Sequence, residues 1–276
     1  MTNNNTTTDT VVLIHGLWMT PVSWQNWVDH YEKQGLRVIT PGYPGIGQGF
    51  EGVKAIRRDP SPLAGLGVQE VVDHLAEVIE GLDTKPIIMG HSFGGAFTEL
   101  LVGRGYGSAG VSIDGGPVKG VLSLPLTTIR ATLPVLANPL NRGRAVPITP
   151  SQFHYGFTNN LSEAESQQVY DRYAIPVSGR IVFQGGLANF TPRAATSYDF
   201  RNGDRAPLLF ISGGNDQILA PAVQHENYRR NAKGSSAISA YKEFLGRSHY
   251  TCGEPGWEQV ADFALNWAKS PVAGEL

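Results

Sequence analysis

The chain has 276 residues, of which 41% are hydrophobic and 17% are charged, and its formal net charge is −2. This near-neutral balance argues against a nucleic-acid-binding protein, which usually carries a clustered basic face. The 33 glycines and 18 prolines make up a smaller share of the chain than in low-complexity proteins. The composition therefore indicates a globular protein with enough apolar residues for a large core.

The N-terminal and cysteine patterns bear on the compartment of the protein. No basic residue precedes Lys33, so the chain lacks the charged region that begins a secretory signal. No apolar run approaches the roughly 18 residues that a membrane-spanning helix needs. The single cysteine, Cys252, cannot form a disulfide within the chain. We therefore expect a cytoplasmic protein without a nucleic-acid or membrane partner. The sequence does not indicate its oligomeric state.

Predicted strands and helices alternate in the first part of the chain. Residues 1–10 are polar and are predicted to form a disordered lead. Short continuous apolar runs, typical of strands buried on both faces, follow at residues 11–14, 36–39, 86–89 and 109–113. Apolar residues at helical spacing separate these runs, at residues 21–31, 68–79 and 93–101. Residues 41–66 are rich in glycine and proline and predict a loop with at most one short helix.

The alternation stops after the fourth predicted strand and resumes near residue 207. In between, residues 117–200 show only helical stretches, at 125–136, 150–157 and 163–173. Beyond them we predict strands at 207–211 and 237–244 and helices at 221–231 and 256–268. Because parallel strands need crossover connections, this order predicts an α/β fold with a mostly parallel sheet and helices on both faces. We predict one core, residues 11–116 and 201–276, interrupted by a helical cap at residues 117–200.

The third predicted strand runs into the sequence Gly90-His91-Ser92-Phe93-Gly94, which has the pattern G-x-S-x-G. Between a strand and a helix, this pattern predicts a sharp turn that exposes the hydroxyl of Ser92. The glycines fit such a turn because a Cβ at these positions would clash with the neighbouring backbone. Since a serine alone is a weak nucleophile, this interpretation requires a base and an orienting acid elsewhere in the chain.

An acid and a base follow two later strands, in the order Ser, Asp, His that this arrangement requires. Asp216 lies after the strand at 207–211, and His249 lies after the strand at 237–244. Because parallel strands present their carboxyl ends at one edge of the sheet, we expect both side chains near Ser92. Asp114 also follows a strand, the fourth, and is an alternative acid.

The first predicted strand ends at His15-Gly16-Leu17-Trp18, which predicts a loop that binds an oxyanion. We expect the N–H group of Leu17 to act with that of Phe93, the first residue of the helix after Ser92. The positive end of that helix favours negative charge at the same place. We expect His15 to shape this loop through a backbone hydrogen bond rather than to act in catalysis.

The α/β-hydrolase superfamily, and specifically its capped serine hydrolases, is similar to this chain in four segments: VVLIHGLW, IIMGHSFGG, LLFISGGNDQI and GRSHY. The resemblance extends from Val11 to Ala268. It implies an α/β-hydrolase sheet with a cap inserted after the fourth strand, with Ser92 as nucleophile, Asp216 as acid and His249 as base. These segments are specific for the family but not for the reaction.

The aromatic residues of the cap predict the type of substrate. The predicted substrate-binding residues are Trp18 and, in the cap, Phe153, His154 and Phe157. The alternative for His154 is a solvated cap residue. The other aromatic residues of the cap that are expected at the apolar cleft are Tyr155, Phe183 and Phe190. Such a cleft suits a mid-sized apolar ester, lactone or thioester. We expect a small-molecule substrate, no metal and no organic cofactor. The alternatives are a C–C bond hydrolase, a haloperoxidase-like perhydrolase, and a ligand receptor with little turnover.

Overall fold

The computed structural model describes residues 8–276 and contains a sheet of seven strands. Their order is β2-β1-β3-β4-β7-β8-β9, and every pairing in this sheet is parallel. Two further strands, β5 and β6, form a separate antiparallel pair. The strands are β1 (Thr10–Ile14), β2 (Arg37–Ile39), β3 (Ile87–His91), β4 (Ala109–Ile113), β5 (Ala145–Val146), β6 (Val177–Ser178), β7 (Leu208–Gly213), β8 (Ser239–Phe244) and β9 (Gly274–Glu275).

Ten α-helices accompany these strands in the described part of the chain. They are α1 (Gln25–Glu32), α2 (Gly49–Arg58), α3 (Val68–Glu80), α4 (Phe93–Gly103), α5 (Leu126–Leu136), α6 (Pro150–Gly156), α7 (Glu163–Tyr173), α8 (Gly179–Gly186), α9 (Pro221–Gly234) and α10 (Trp257–Lys269). Across residues 8–276, none of the helices combines the length and apolar character that crossing a bilayer requires.

Helices cover both faces of the sheet, as the continuous apolar strands predict. In β1, Val11 and Leu13 belong to one apolar cluster, which includes residues of α1 and α10. Val12 and Ile14 belong to the other cluster, which includes residues of α3 and α4. Successive residues of a strand point to opposite faces, so a strand buried on both faces must be apolar at every position. The predicted fold class, a mostly parallel sheet with helices on both faces, is confirmed.

The predicted boundaries differ from the structure where the local pattern is weak. The strand β1 begins at Thr10, inside the predicted lead, and residues 1–7 of that lead lie outside the described residues. The predicted loop at 41–66 contains α2, a helix of ten residues. The helix α8 was not predicted, and three of its eight residues are glycine, which weakens its helical pattern. The strands β5, β6 and β9 have two residues each and carry no recognisable period.

The segment between β4 and β7 contributes no strand to the seven-stranded sheet. We call residues 117–200 of this segment the insertion. Backbone hydrogen bonds connect it to loops at the carboxyl ends of two strands. The N–H group of Ile175 donates to the carbonyl of Trp18 at 3.0 Å, and that of Tyr250 donates to the carbonyl of Phe157 at 2.9 Å. The insertion therefore contacts both the predicted oxyanion loop and the loop that carries His249.

Candidate active site

Ser92 lies in the turn between β3 and α4 with a strained backbone. Its φ of 58° and ψ of −126° fall in a region that residues with side chains rarely adopt. The Ser92 N–H group donates to the carbonyl of Ile113 at 2.9 Å, and its own carbonyl accepts from the N–H groups of Gly95 and Gly116, each at 2.9 Å. Three backbone hydrogen bonds therefore fix the conformation of this turn.

Glycine is required around Ser92 because backbone segments approach each other closely. A Cβ on Gly90 would lie 2.0 Å from the carbonyl oxygen of Gly94. A Cβ on Gly94 would lie 2.3 Å from the carbonyl oxygen of Ile14, at the end of β1. On Gly16, it would lie 2.7 Å from the Cβ of Ser92 itself. The steric reason that the sequence predicts for these glycines is therefore present, and Gly16 brings the loop after β1 against Ser92.

The structure joins Asp216 and His249 by a short hydrogen bond. His249 Nδ1 lies 2.6 Å from Asp216 Oδ2, and both side chains are fully buried. The other carboxylate oxygen, Asp216 Oδ1, accepts the N–H groups of Ile218 at 2.7 Å and Leu219 at 2.8 Å. These two bonds fix the orientation of the carboxylate. His249 Nε2 is buried and has no hydrogen-bond partner among residues 8–276.

The loop after β1 is held by His15 and Tyr43. His15 Nδ1 donates to the carbonyl of Gly16 at 2.8 Å, which is the backbone hydrogen bond that the sequence suggested. The Tyr43 hydroxyl donates to the carbonyl of His15, and the two rings stack at 3.9 Å. Burial lowers the pKa of His15 from 6.5 to about 4, so this imidazole is neutral at pH 7. No backbone hydrogen bond from the N–H group of Leu17 or Phe93 occurs in the described residues.

The model of the alpha/beta hydrolase family matches residues 11–263, which is most of the chain. The chain belongs to the alpha/beta hydrolase family. A comparison with curated proteins gives no match.

Solved structures of similar fold come from several organisms. A monoacylglycerol lipase from Paleococcus ferrophilus is 20% identical, with a TM-score of 0.64 and coverage of 96% of each chain. A pyrethroid hydrolase from Sphingobium faniae JZ-2 is also 20% identical, with a TM-score of 0.64 and coverage of 96% of this chain and 99% of that one. A protein from Mycobacterium tuberculosis H37Rv, provisionally assigned as a non-heme bromoperoxidase, is 20% identical, with a TM-score of 0.68 and coverage of 97% and 94%. At these identities the likeness concerns the fold.

In this hydrolase Asp114, the alternative acid, lies beside the Asp216–His249 pair without replacing it. Asp114 has a φ of 45°, is fully buried, and accepts the N–H group of Gly213 at 2.6 Å. Burial, and secondarily the charge of Asp216, raises the pKa of Asp114 well above its usual value. In the structure the hydrogen bond to His249 Nδ1 is made by Asp216, whereas the carboxylate of Asp114, which follows β4, accepts an N–H group at the end of β7.

The sequence does not predict a role for His91, the residue before Ser92. Its Nε2 donates to the carbonyl of His249 at 2.7 Å, and the two imidazole rings lie 4.7 Å apart. Burial lowers the pKa of His91 well below its usual value, so the ring is neutral. His91 therefore positions the backbone of His249. The only signal in the sequence is that His91 stands next to Ser92 in the G-x-S-x-G pattern.

His91, Asp114 and His249 also bring ligand-type atoms within 4.8 Å of one another. Both imidazoles already make hydrogen bonds, from His91 Nε2 to the carbonyl of His249 and from His249 Nδ1 to Asp216. The cluster is part of the site already described.

The predicted substrate-binding aromatic residues occupy different places. Phe157 is fully buried and lies edge-on to His249 at 4.9 Å and to Trp18 at 6.1 Å. Phe153 stacks on Phe157 at 4.7 Å, one layer further from the site. His154 is half-buried on α6, and its Nδ1 has no hydrogen-bond partner in the described part of the chain. Phe190, a predicted cleft residue, is instead 84% exposed.

A small apolar cavity lies against the loop after β1. Its volume is about 10 Å³, which corresponds to about one water molecule. Gly16, Leu17 and Trp18 form one wall, and Ile175 and Ile181 of the insertion form part of another. Because Gly16 also packs against Ser92, this cavity is next to the turn that carries the serine. Ser92 itself is only 5% exposed, so the insertion and the loops cover the site in this conformation.

Proposed function

We propose that this hydrolase cleaves an ester-type bond, in a carboxylic ester, lactone or thioester, with Ser92 as nucleophile, His249 as base and Asp216 as orienting acid. The observation that carries the proposal is the hydrogen bond from His249 Nδ1 to Asp216, which leaves Nε2 buried and without a partner. An imidazole held in this way has the proton on Nδ1 and can accept one at Nε2.

The reaction follows from these positions. His249 Nε2 accepts the proton of the Ser92 hydroxyl as Ser92 Oγ attacks the acyl carbonyl. The N–H groups of Leu17 and Phe93 donate to the oxyanion of the tetrahedral intermediate, and the start of α4 favours its negative charge. His249 then protonates the leaving group, which departs and leaves an acyl-enzyme on Ser92. Water, activated by His249, releases the acid and restores the serine.

The environment of the site favours an apolar substrate of moderate size. The cavity beside Leu17 is lined almost entirely by apolar side chains, and Tyr43 is one of few polar groups on its wall. We propose that the insertion acts as a cap over the site, because it contacts the loops of Trp18 and Tyr250 and because His249 is fully buried. Substrate entry then requires the cap to move and the cavity to widen, since about 10 Å³ admits no ester.

The test combines covalent labelling with a substrate series. We expect a fluorophosphonate probe to label the wild type and not Ser92→Ala, because only the activated hydroxyl reacts. Turnover of p-nitrophenyl esters of graded chain length and of a lactone panel then identifies the acyl class. Labelling of Ser92→Ala at the wild-type rate, or no labelling of the wild type, contradicts the proposed nucleophile. Hydrolysis restricted to short, polar acyl groups contradicts the apolar substrate.

A further inference from the structure

The insertion exposes a set of large apolar side chains that the proposed function does not use. Of the twelve exposed large hydrophobic residues in the described chain, seven lie in the insertion. The most exposed of them are Leu126 at 83% and Phe190 at 84%. We call these seven residues the leucine surface: Leu122, Leu124, Leu126, Leu133, Leu140, Leu187 and Phe190. A concentration of exposed apolar side chains in one segment marks an interaction surface more often than chance exposure does.

The exposed leucines follow the periodicity of the helix and of the extended segment that carry them. On α5, the exposed residues are at positions i, i+4, i+7 and i+8, which places them on one face of the helix; they are Leu126, Arg130, Leu133 and Pro134. Val135, on the other side, is buried. Before the helix, exposed leucines alternate with half-buried residues from Leu122 onward, as in an extended chain with one outward side.

Hydrogen bonds join the two parts of the leucine surface. Asn189 lies between Leu187 and Phe190, and its amide group bonds to the chain immediately before Leu122. Asn189 Nδ2 donates to the carbonyl of Val121 at 2.6 Å, and Asn189 Oδ1 accepts the N–H group of Gly120 at 2.8 Å. The loop carrying Phe190 is therefore fixed beside the segment that carries Leu122.

The charged residues of the two segments that form the leucine surface are all positive. Residues 115–162 and 185–198 contain no Asp or Glu, whereas they contain five cations, Lys119, Arg130, Arg142, Arg144 and Arg193. The carboxylate of Glu226, from α9, does reach this region, but it accepts the N–H groups of Leu122 and Ser123 and pairs with Arg230 at 2.8 Å. The segments that form the leucine surface are thus cationic in a chain whose net charge is −2, and the one carboxylate that reaches them is paired with Arg230.

We propose that the leucine surface binds the surface of an anionic lipid bilayer. Protruding apolar side chains surrounded by cations are the combination that binds there, because the leucines enter the acyl boundary and the cations meet the headgroups. A second copy of the chain fits less well, because a two-fold contact places the same cationic surface against itself. The sequence predicts no membrane partner because it has no spanning segment, and the absence of a spanning segment does not address binding to a bilayer surface.

The binding is independent of the reaction at Ser92 and is tested without it. The probe is flotation with vesicles of phosphatidylcholine alone, or of phosphatidylcholine and phosphatidylglycerol in equal parts. We expect the wild type to bind the anionic vesicles, and to be released by high salt. The variant Leu126→Ser/Leu133→Ser should bind about a hundredfold more weakly, because two leucines no longer enter the bilayer.

The chain offers matched controls for this experiment. Leu245 is 85% exposed and lies outside the leucine surface, so Leu245→Ser should bind like the wild type. Arg142→Gln/Arg144→Gln should lower binding to anionic vesicles only. Circular dichroism and the midpoint of thermal unfolding, without vesicles, verify that each variant is folded.

Four outcomes overturn the proposal. Three concern vesicles: no binding of the wild type to anionic vesicles, equal loss of binding in Leu245→Ser and Leu126→Ser/Leu133→Ser, and equal binding to neutral and anionic vesicles. A wild-type dimer in size-exclusion chromatography with light scattering that Leu126→Ser/Leu133→Ser dissociates would likewise overturn it, in favour of self-association.

Discussion

The substitution Asp216→Asn tests the proposed acid, and the structure predicts how it fails. Asp216 Oδ1 accepts the N–H groups of Ile218 and Leu219, so the oxygen of an asparagine must stay on that side. Its NH₂ group then faces His249 Nδ1, in place of the oxygen that lies 2.6 Å away. Two donors cannot share a hydrogen bond, so His249 must carry its proton on Nε2. In that tautomer Nε2 cannot accept the proton of Ser92.

The expected fall in kcat has two causes: His249 takes the wrong tautomer, and the negative charge of Asp216 is lost. Forcing the wrong tautomer in a Ser-His-Asp triad lowers kcat by about 10⁴-fold, or about 5.5 kcal/mol of transition-state stabilisation. The backbone should be unchanged, because the two N–H donors still find an oxygen. We therefore expect the free energy of unfolding of Asp216→Asn to lie within about 1 kcal/mol of the wild-type value, while kcat falls by about 10⁴-fold.

The assay is steady-state hydrolysis of a p-nitrophenyl ester, with Asp114→Asn as the matched control. Asp114 is as buried as Asp216 and offers an oxygen within 4.8 Å of a His249 nitrogen, but it bonds Gly213 instead. We expect Asp114→Asn to retain at least a tenth of wild-type kcat. If Asp216→Asn keeps most of its activity, or if Asp114→Asn loses as much as Asp216→Asn, the assignment of the acid is wrong. Residual activity in Asp216→Asn that Asp114→Asn/Asp216→Asn loses would show that Asp114 substitutes for it.

Three further substitutions or conditions have outcomes that the structure sets. Gly90→Ala places a Cβ 2.0 Å from a backbone oxygen and should cost about 3 kcal/mol or more in urea unfolding, whereas Gly143→Ala, with no atom within 4 Å, should be nearly neutral. Phe157→Ala removes a fully buried ring beside His249 and should cost about 3–5 kcal/mol, and Phe157→Leu should cost less. Lowering the pH should reduce the free energy of unfolding, because burial lowers the pKa of His15 from 6.5 to about 4 and the unfolded chain therefore binds a proton that the folded protein does not. The loss from His15 should begin below pH 6.5, total about 3 kcal/mol and end below about pH 4; a flat profile over that range would contradict the buried neutral imidazole.

The central strands could be predicted because their burial on both faces is visible in the local sequence. β1, β3, β4 and β7 lie inside the sheet, and a strand buried on both faces must be a continuous apolar run. The short strands β5, β6 and β9 could not be predicted, because two residues acquire a strand conformation only from a partner far along the chain. The exposure of Phe190 could not be predicted either, because the sequence around an aromatic residue between helices does not indicate whether its side chain faces the core or the solvent.

The turn that carries Ser92 was predictable because the G-x-S-x-G motif determines its local geometry. The motif around Ser92 predicts both the turn and the glycines, and the strand ends predict that Asp216 and His249 approach it. The role of His91 was not predictable, because its partner, the carbonyl of His249, is 158 residues away in the sequence. The choice between Asp114 and Asp216 also depends on side-chain directions that only the folded sheet fixes.

The strained residues of the site show what the sheet contributes to it. In the described chain, Trp18, Ser92 and Asp114 are the non-glycine residues with positive φ, and they follow the neighbouring strands β1, β3 and β4. Each strained turn is held from the next element. The Ser92 N–H group donates to Ile113 at the end of β4, the Asp114 N–H group donates to Ile211 in β7 at 2.8 Å, and the Trp18 carbonyl accepts from Ile175 of the insertion. Such conformations cost about 1–3 kcal/mol each and persist only where the surroundings over-determine them. The pairing of adjacent strands therefore offsets the strain in the turns after β3 and β4, and this is why these turns form at the carboxyl edge of the sheet and not from any one segment alone.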